Sequence, residues 1–234
     1  MFLRDFIHIL FPSTCIGCGS LLVGSERHLC TKCVASLPLT NYYEIENNPM
    51  ELRFAGRIPF QAASAHLIFQ HQSITRTILH EIKYHNNIPL ALTMGRQIGL
   101  ALSQSHRFDD VSSLVPVPLH WIKKWTRGYN QAEIICKGIA ETFPRPIITQ
   151  SLYRQSFTST QTKKSRLDRL KNMENVFALR NTASLIGHHV LLVDDMTTSG
   201  STLESAASTL LQIPDITISL ISLGIAPNDT TKIR

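Results

Sequence analysis

The sequence lacks any hydrophobic run that approaches the roughly 20 apolar residues a membrane-spanning helix needs. Its N-terminal stretch is apolar, but Arg4, Asp5 and His8 interrupt it and no small-residue cleavage site follows. We therefore expect neither a membrane span nor a signal peptide. The sequence also contains no low-complexity tract, and 43% of its residues are hydrophobic. These features predict a globular protein of the cytoplasm.

Length and charge set only wide limits on the class of protein. A chain of 234 residues can bury one sizeable core and carry a small appendage. Its formal net charge of +6 suits an anionic partner, but a phosphate-rich small molecule and a nucleic acid would both qualify. Net charge therefore does not distinguish a small-molecule ligand from a nucleic-acid partner.

The stretch 190–202 reads as a strand, a loop and the start of a helix. Residues 190–193 are apolar and predict a short buried strand, and two adjacent acids follow it. An apolar periodicity over residues 203–211 predicts the helix. The acids and the loop between strand and helix comprise Asp194, Asp195, Met196, Thr197, Thr198, Ser199, Gly200, Ser201 and Thr202.

This loop has the chemistry of a binding site for a sugar phosphate. A loop at the carboxyl end of a strand offers backbone N–H groups and a helix N-terminus to a phosphate, and Gly200 lets the backbone come close. Asp194 and Asp195 would repel a phosphate but accept hydrogen bonds from sugar hydroxyls, or bind Mg²⁺. The loop lacks the glycine–lysine–serine/threonine of a Walker A motif and the glycine pattern of a dinucleotide loop. The alternative is an acidic turn whose serine and threonine residues cap the helix.

Four of the five cysteines form two CxxC pairs: Cys15, Cys18, Cys30 and Cys33. Each pair can turn two sulfur atoms toward one tetrahedral ion, and two pairs complete a closed four-cysteine set. A closed set predicts a structural rather than a catalytic zinc ion. The alternative is two disulfides, which would suit an exported protein, and the sequence gives no sign of export. Cys136 lies in an apolar helical pattern, so we expect it to be buried.

Strands alternate with helices after residue 60, which predicts an α/β fold with a mostly parallel sheet and flanking helices. Ligands of such folds bind at the carboxyl edge of the strands. We predict an N-terminal helix and zinc module over residues 1–36, a proline-punctuated linker over 37–60 and the α/β domain over 61–234. The predicted strands are residues 64–69, 111–117, 147–148, 176–179, 190–193 and 216–223, and the predicted helices are residues 74–82, 90–105 and 130–141.

Two basic segments in the α/β domain are further candidates for binding an anion. The first follows the predicted strand 111–117, contains Arg127 and opens a helix, so it can hold an anion at the helix N-terminus. The second covers residues 150–175 and has no apolar period. The alternatives are an ordinary connection between a strand and a helix for the first and a disordered basic loop for the second.

Several motifs together resemble one known family. The Asp-Asp loop resembles the motif with which type I phosphoribosyltransferases bind phosphoribosyl pyrophosphate (PRPP). Residues 115–118 and 127–131 resemble the pyrophosphate loop of amidophosphoribosyltransferase-like proteins, and residues 150–175 resemble their flexible hood. With the four-cysteine module and the Lys-Tyr pair at 83–84, their order resembles the ComF (ComFC-like) family of competence proteins over residues 2–225.

This resemblance implies a phosphoribosyltransferase-like fold, structural zinc and a role in DNA uptake and natural transformation. It implies that Asp194 and Asp195 hold the ribose hydroxyls and that residues 198–202 wrap the 5′-phosphate of PRPP or a related phosphoribose ligand, with Mg²⁺. It adds Lys83 to the ligand-binding residues and Arg127 to the pyrophosphate loop. We therefore expect catalytic roles for Asp194, Asp195 and Arg127.

The chain departs from the better-known phosphoribosyltransferases in two ways. Thr198 stands where purine-salvage enzymes carry an acid, which disfavours purine salvage. We also find no glutaminase domain and no N-terminal catalytic cysteine, which disfavours amidophosphoribosyl transfer from glutamine. Three functions stay open: transfer of phosphoribose to an unknown acceptor, a non-catalytic competence factor that senses PRPP or a nucleotide and acts on single-stranded DNA, and a zinc-ribbon adaptor for a protein such as a DNA-uptake helicase.

Overall fold

The computed structural model describes residues 13–119, 128–155 and 176–227. The strands are β1 Ala63–Ile68, β2 Ser113–Pro116, β3 Leu152–Arg154, β4 Phe177–Leu179, β5 His189–Thr197 and β6 Thr217–Ile225. The α-helices are α1 Thr31–Ala35, α2 Pro49–Phe54, α3 Ile74–Tyr84, α4 Ile88–Ser103, α5 Gln131–Thr142 and α6 Ser201–Leu210, and short 3₁₀ helices cover His106–Phe108 and Thr182–Leu185. Among these described segments, no helix combines the length and the apolar character that crossing a membrane requires.

A parallel sheet of four strands, in the order β1-β6-β5-β2, forms the centre of the fold. Successive residues of a strand face opposite sides, and helices cover both sides here. Leu191 and Val193 of β5 pack with α3, α4 and α5, whereas Val190 and Leu192 pack with α2 and α6. The predicted α/β fold with a mostly parallel sheet is therefore confirmed.

The helices α4 and α5 lie against each other through small residues. A Cβ atom on Gly95 would lie 2.4 Å from the carbonyl oxygen of Ile135 and 2.9 Å from Cα of Gly138. The close contact requires glycine at both positions. It also fixes α5, whose N-terminus contributes to the cavity described below.

Strand β5 is longer than the sequence predicts. The apolar run ends at Val193, but the strand continues to Thr197 because β6 runs parallel to it and supplies partners for Asp194, Met196 and Thr197. Asp194 pairs with Ser222 in register, and Thr197 pairs with Ile225. The two acids therefore belong to the strand rather than to the loop after it.

The hairpin β3–β4 also differs from the prediction. β4 was predicted as a strand, but it pairs antiparallel with β3 in a separate sheet of two strands. β3 has only three residues and lies in a segment without apolar period, so no local pattern predicts it. Residues 147–148 make a single parallel bridge, between Ile147 and Leu114.

The segment predicted as a linker contains the helix α2. Asn48 caps it by accepting hydrogen bonds from the N–H groups of Met50 and Glu51, at 2.9 and 3.1 Å. Pro49 occupies the first helical turn, where its missing N–H costs nothing. Met50 and Phe54 are fully buried against the sheet. The domain boundaries stay a prediction, but this part of the chain is packed into the core.

Candidate functional site

The four cysteines of the two CxxC pairs lie together. Their sulfur atoms are all within 4.8 Å of one another, and Cys18 Sγ lies 3.7 Å from Cys30 Sγ. Ligands of a tetrahedral zinc ion with Zn–S bonds of about 2.3 Å are separated by about 3.8 Å. All four are free thiols rather than disulfides. The predicted four-cysteine set is therefore confirmed, and its donor atoms fit a structural zinc ion.

Hydrogen bonds lower the pKa of Cys15 and Cys18 and so favour the thiolate form that zinc binds, whereas burial and the neighbouring thiols raise the pKa of Cys33 to about 12. The N–H of Cys30 donates to Cys15 Sγ at 3.3 Å. The Ser20 hydroxyl lies 2.9 Å from Cys18 Sγ and lowers the pKa of Cys18 to about 6. Cys15 and Leu29 join the same apolar cluster as α3 and α4, so the module packs directly onto the α/β domain.

The acidic pair lies at the carboxyl end of β5, next to a lysine from a neighbouring helix. The N–H of Asp195 donates to Asp194 Oδ1 at 2.8 Å. Lys83, in the last turn of α3, places its Nζ 3.0 Å from Asp195 Oδ1. The structure thus brings together three residues that the sequence analysis selected, and their roles toward a ligand stay predictions.

Asp194 has an unusual titration for an aspartate. Loss of hydration and the neighbouring carboxylate of Asp195 raise its pKa to about 7, although the N–H of Asp195 and the charges of Lys83 and Arg154 act in the opposite direction. Aspartate pairs with a raised pKa are common at functional sites, because these sites place like charges close together in partly buried positions where they can bind a ligand.

A cavity of about 160 Å³ opens beside the acidic pair. It lies where β2, β5, the hairpin strand β3 and the N-termini of α5 and α6 meet. Its lining residues are Lys83, Val117, Pro118, Leu119, Asn130, Gln131, Ala132, Arg154, Asp194, Asp195, Met196 and Thr202. Two larger grooves, of about 420 and 370 Å³, lie beside the zinc module and α4 and contain none of the loop residues.

The described part of the predicted pyrophosphate loop anchors the cavity wall. Tyr129 donates its hydroxyl proton to the carbonyl of Ile82. Asn130 donates to the carbonyl of Val117 at 3.0 Å and caps α5 by accepting from the N–H of Ala132 at 3.1 Å. Arg127 and the rest of residues 120–127 lie outside the described residues, as do residues 156–175 of the predicted hood. The catalytic role of Arg127 stays a prediction.

The loop after β5 presents its hydroxyl groups to solvent. Thr198, Ser199, Ser201 and Thr202 are all exposed, and the Ser199 hydroxyl donates to that of Ser201 at 3.1 Å. Gly200 has φ of +83° and caps α6. Thr197 is 2% exposed and Met196 packs beside Gly224 of β6, so these two side chains support the loop from below.

Sequence reasoning missed the cations that approach the loop from α2. Arg53 donates to the carbonyls of Thr197 and Ala226, and Arg57 donates to the carbonyl of Ser199. These contacts join positions more than 140 residues apart in the chain, so no local sequence pattern can predict them. The sequence pattern predicts a linker over residues 37–60, and α2 lies within that range.

Comparison with known proteins gives the class of this chain. The phosphoribosyl transferase domain family matches residues 126–218, and the double zinc ribbon domain family matches residues 6–43. The chain therefore combines a zinc ribbon with a phosphoribosyltransferase-type domain.

Two relatives narrow that class. Competence protein F of Haemophilus influenzae is 29% identical over 140 residues, which cover 58% of this chain and 61% of the relative. Competence protein ComFC of Bacillus subtilis is 34% identical over 99 residues, or 42% of this chain and 38% of the relative. The chain thus spans less than two thirds of either relative. It is a homologue of these competence proteins, as the sequence resemblance implied.

Among solved structures, glutamine PRPP amidotransferase from B. subtilis, complexed with ADP and GMP, has a TM-score of 0.41 with this chain. The two are 15% identical, and the match covers 61% of this chain and 30% of that one.

Proposed function

We propose that this protein binds PRPP, or a closely related phosphoribose ligand, together with Mg²⁺, and that it serves DNA uptake in natural competence. One observation carries the proposal. An acidic pair for a diol and a hydroxyl-rich loop for a phosphate follow one another at the carboxyl end of a parallel strand, and Thr202 of the loop lines the same cavity as the pair. The names of the relatives supply the link to competence.

In this proposal each part of the site has a distinct role. The carboxylates of Asp194 and Asp195 accept hydrogen bonds from the two ribose hydroxyls. Residues 198–202 donate hydroxyl and backbone hydrogen bonds to the 5′-phosphate at the N-terminus of α6. Lys83 and Arg154 offset the charge of the acidic pair, and Arg127 is placed beside the pyrophosphate on the sequence resemblance alone.

We further propose transfer of phosphoribose to an acceptor. The bond between the anomeric carbon and the pyrophosphate oxygen breaks, its electron pair leaves with pyrophosphate, and a lone pair of the acceptor forms the new bond. Asp194 and Asp195 hold the ribose in place while positive charge develops on its ring. Mg²⁺ bound with PRPP would neutralise the leaving pyrophosphate, and the carboxylate oxygens of the pair fit such an ion because it prefers oxygen ligands.

Pyrophosphate release tests the catalytic part of this proposal. We expect the wild-type protein to release pyrophosphate slowly from PRPP when Mg²⁺ is present, with water taking the place of the acceptor at the anomeric carbon. Asp195→Asn should lower this rate at least about a hundredfold, since the ribose would lose an oriented partner. Glu46→Gln is a suitable control, because Glu46 is exposed and outside the cavity. If the protein binds PRPP but releases no pyrophosphate, it acts as a sensor of PRPP and not as a transferase.

A second candidate function is a non-catalytic factor that uses PRPP as a signal and binds single-stranded DNA or a helicase. The hairpin β3–β4 favours it, because it pairs cations with aromatic rings. Arg180 lies over the partly exposed ring of Tyr153 at 5.4 Å. Arg154 lies over Phe177 at 5.6 Å, but that ring is buried and offers no stacking surface. Charge and stacking surfaces of this kind bind single strands.

Fluorescence anisotropy with a labelled oligonucleotide at rising salt tests this function. Binding that survives Asp195→Asn would place the DNA-binding surface away from the acidic pair.

A further inference from the structure

Arg53 of α2 connects the ends of two central strands. It is 7% exposed, and its guanidinium donates to the carbonyls of Thr197 and Thr198 at the end of β5. The same group donates to the carbonyl of Ala226, just after β6, at 2.6 Å. The Thr197 carbonyl also accepts from the N–H of Ala226 at 2.9 Å, which continues the pairing of β5 with β6. The particular contribution of Arg53 is therefore its hydrogen bond to the Thr198 carbonyl, where the loop begins.

The direction of these carbonyls fixes the direction of the next backbone N–H groups. A trans peptide group is planar, so the C=O of one residue and the N–H of the following residue point opposite ways, and no cis bond is found in the described chain. Because the Thr198 carbonyl points at Arg53, the N–H of Ser199 points away from α2. Arg57 donates to the Ser199 carbonyl in the same manner, at 3.0 Å, so the N–H of Gly200 also points away.

These two N–H groups are available to a ligand. Within residues 13–119, 128–155 and 176–227, neither the Ser199 nor the Gly200 N–H donates to another protein group. They adjoin the N-terminus of α6, which adds positive potential on the same stretch of chain. The loop thus presents two backbone N–H donors, already oriented in the ligand-free protein, at a position that favours binding of a phosphate.

α2 also determines which residue can follow Ser199. A Cβ atom on Gly200 would lie 2.8 and 2.9 Å from two ring atoms of Phe54. The left-handed φ of +83° is a second reason for glycine at this position. Phe54 and Arg53 therefore both determine the conformation of this loop from its α2 side. Phe54 acts by van der Waals contact and Arg53 by hydrogen bonds.

α2 itself is firmly attached to the sheet. Asn48 donates to the carbonyl of Ala63 at 2.9 Å, and Glu51 accepts from the N–H of Ala63 at 3.2 Å. Glu51 is paired in turn with Arg107. The helix is thus fixed to the first residue of β1, so Arg53 can hold the loop against a rigid support.

We propose that Arg53 is a positioning residue of the phosphate-binding loop: by holding the carbonyl of Thr198 it directs the N–H of Ser199 at the ligand's phosphate. The inference rests on the proposed function, since the phosphate is that of the bound phosphoribose. It assigns the α2 segment to the site although no residue of α2 lines the cavity.

The test compares Arg53→Met, which keeps most of the volume and removes the donors, with Arg53→Lys, which keeps the charge. Arg145→Met is a matched control. Arg145 also donates to three backbone carbonyls, those of Val111, Pro144 and Asp109, but none of them belongs to the loop. PRPP binding is measured by calorimetry with Mg²⁺, and ¹⁵N relaxation reports the order of the Ser199 and Gly200 amides in the ligand-free protein.

We expect Arg53→Met to weaken PRPP binding about tenfold or more, and the order parameter of the Ser199 amide to fall from about 0.85 to below about 0.6. The Gly200 amide should change less, because Arg57 still holds the Ser199 carbonyl. Arg53→Lys should recover part of both losses, and Arg145→Met should change neither, whatever it does to the melting temperature. Wild-type binding and order in Arg53→Met would overturn the inference. If the wild-type protein fails to bind PRPP, the proposed function is wrong, and the relaxation data alone then decide whether Arg53 positions the loop.

Discussion

Asp194 combines a position in the core sheet with a carboxyl group that favours its neutral form. Its pKa of about 7 in the folded protein lies well above the ordinary value of 3.8 for an aspartate in an unfolded chain. Between these two values the folded protein binds a proton that the unfolded chain has released. The contribution of Asp194 to stability is therefore largest at low pH and is lost as the pH rises through about 7.

We predict that Asp194→Asn makes the ligand-free protein more stable at pH 8, by about 1 kcal/mol or more, and that the difference narrows at pH 5. The physical reason is that asparagine never carries the poorly hydrated charge that the carboxylate carries at pH 8. Urea unfolding at the two pH values measures the effect. Glu46→Gln, at an exposed position, should show no such pH dependence, and equal profiles for Asp194→Asn and the wild type would contradict the account.

At the scale of helices and strands, α4 and α5 form the frame that carries one wall of the cavity. Asn130 and Gln131, at the start of α5, line that wall. Gly95 and Gly138 allow the two helices to approach until backbone touches backbone. A methyl group between them must displace α5.

We predict that Gly95→Ala destabilises the protein by about 1–3 kcal/mol, although alanine is the better helix former by about 1 kcal/mol. The steric overlap with the Ile135 carbonyl, at 2.4 Å, outweighs the gain in helix propensity. Chemical unfolding measures the change. Thr93→Ala, on the same helix but outside the contact with α5, should stay within about 0.5 kcal/mol of the wild type. A stabilised Gly95→Ala would show that the helices are not in backbone contact.

The elements also show what the sequence could and could not predict. α3 and α5 were recognisable because their apolar residues recur with helical spacing, and the four cysteines, Lys83 and the loop 194–202 were recognisable from their spacing and chemistry. α2 was missed because it is short and lies in a polar segment with several prolines, although Asn48, Pro49 and Glu51 form a typical helix start. The extension of β5 past Val193 depends on the partner strand β6, and the contacts of Arg53 depend on tertiary packing, which no local pattern encodes.

At the scale of the whole molecule, the zinc ribbon and the α/β domain share one apolar cluster, but none of the ribbon residues that the structure describes, from residue 13 on, lines the cavity beside the acidic pair. Loss of the metal should therefore affect stability more than ligand binding. A closed four-thiolate site contributes directly to folding.

We predict about one zinc ion per wild-type chain and none in Cys18→Ser/Cys30→Ser, together with a melting temperature lower by about 5 °C or more. The affinity for PRPP should change less than about threefold. Atomic absorption, thermal unfolding and calorimetry measure these three quantities. A zinc-free wild-type protein with freely reacting thiols would refute the metal assignment, and a large loss of PRPP affinity would mean that the ribbon contributes to the site.

The central claim is that the acidic pair and the loop after it form one site for the diol and the phosphate of a phosphoribose ligand. Calorimetric titration of PRPP, with and without Mg²⁺, into the wild-type protein and Asp194→Asn/Asp195→Asn tests it most directly. We predict one binding event per chain that is strengthened by Mg²⁺ and weakened by about a hundredfold or more in the double variant. No binding to the wild-type protein, or equal binding to both proteins, would contradict the claim.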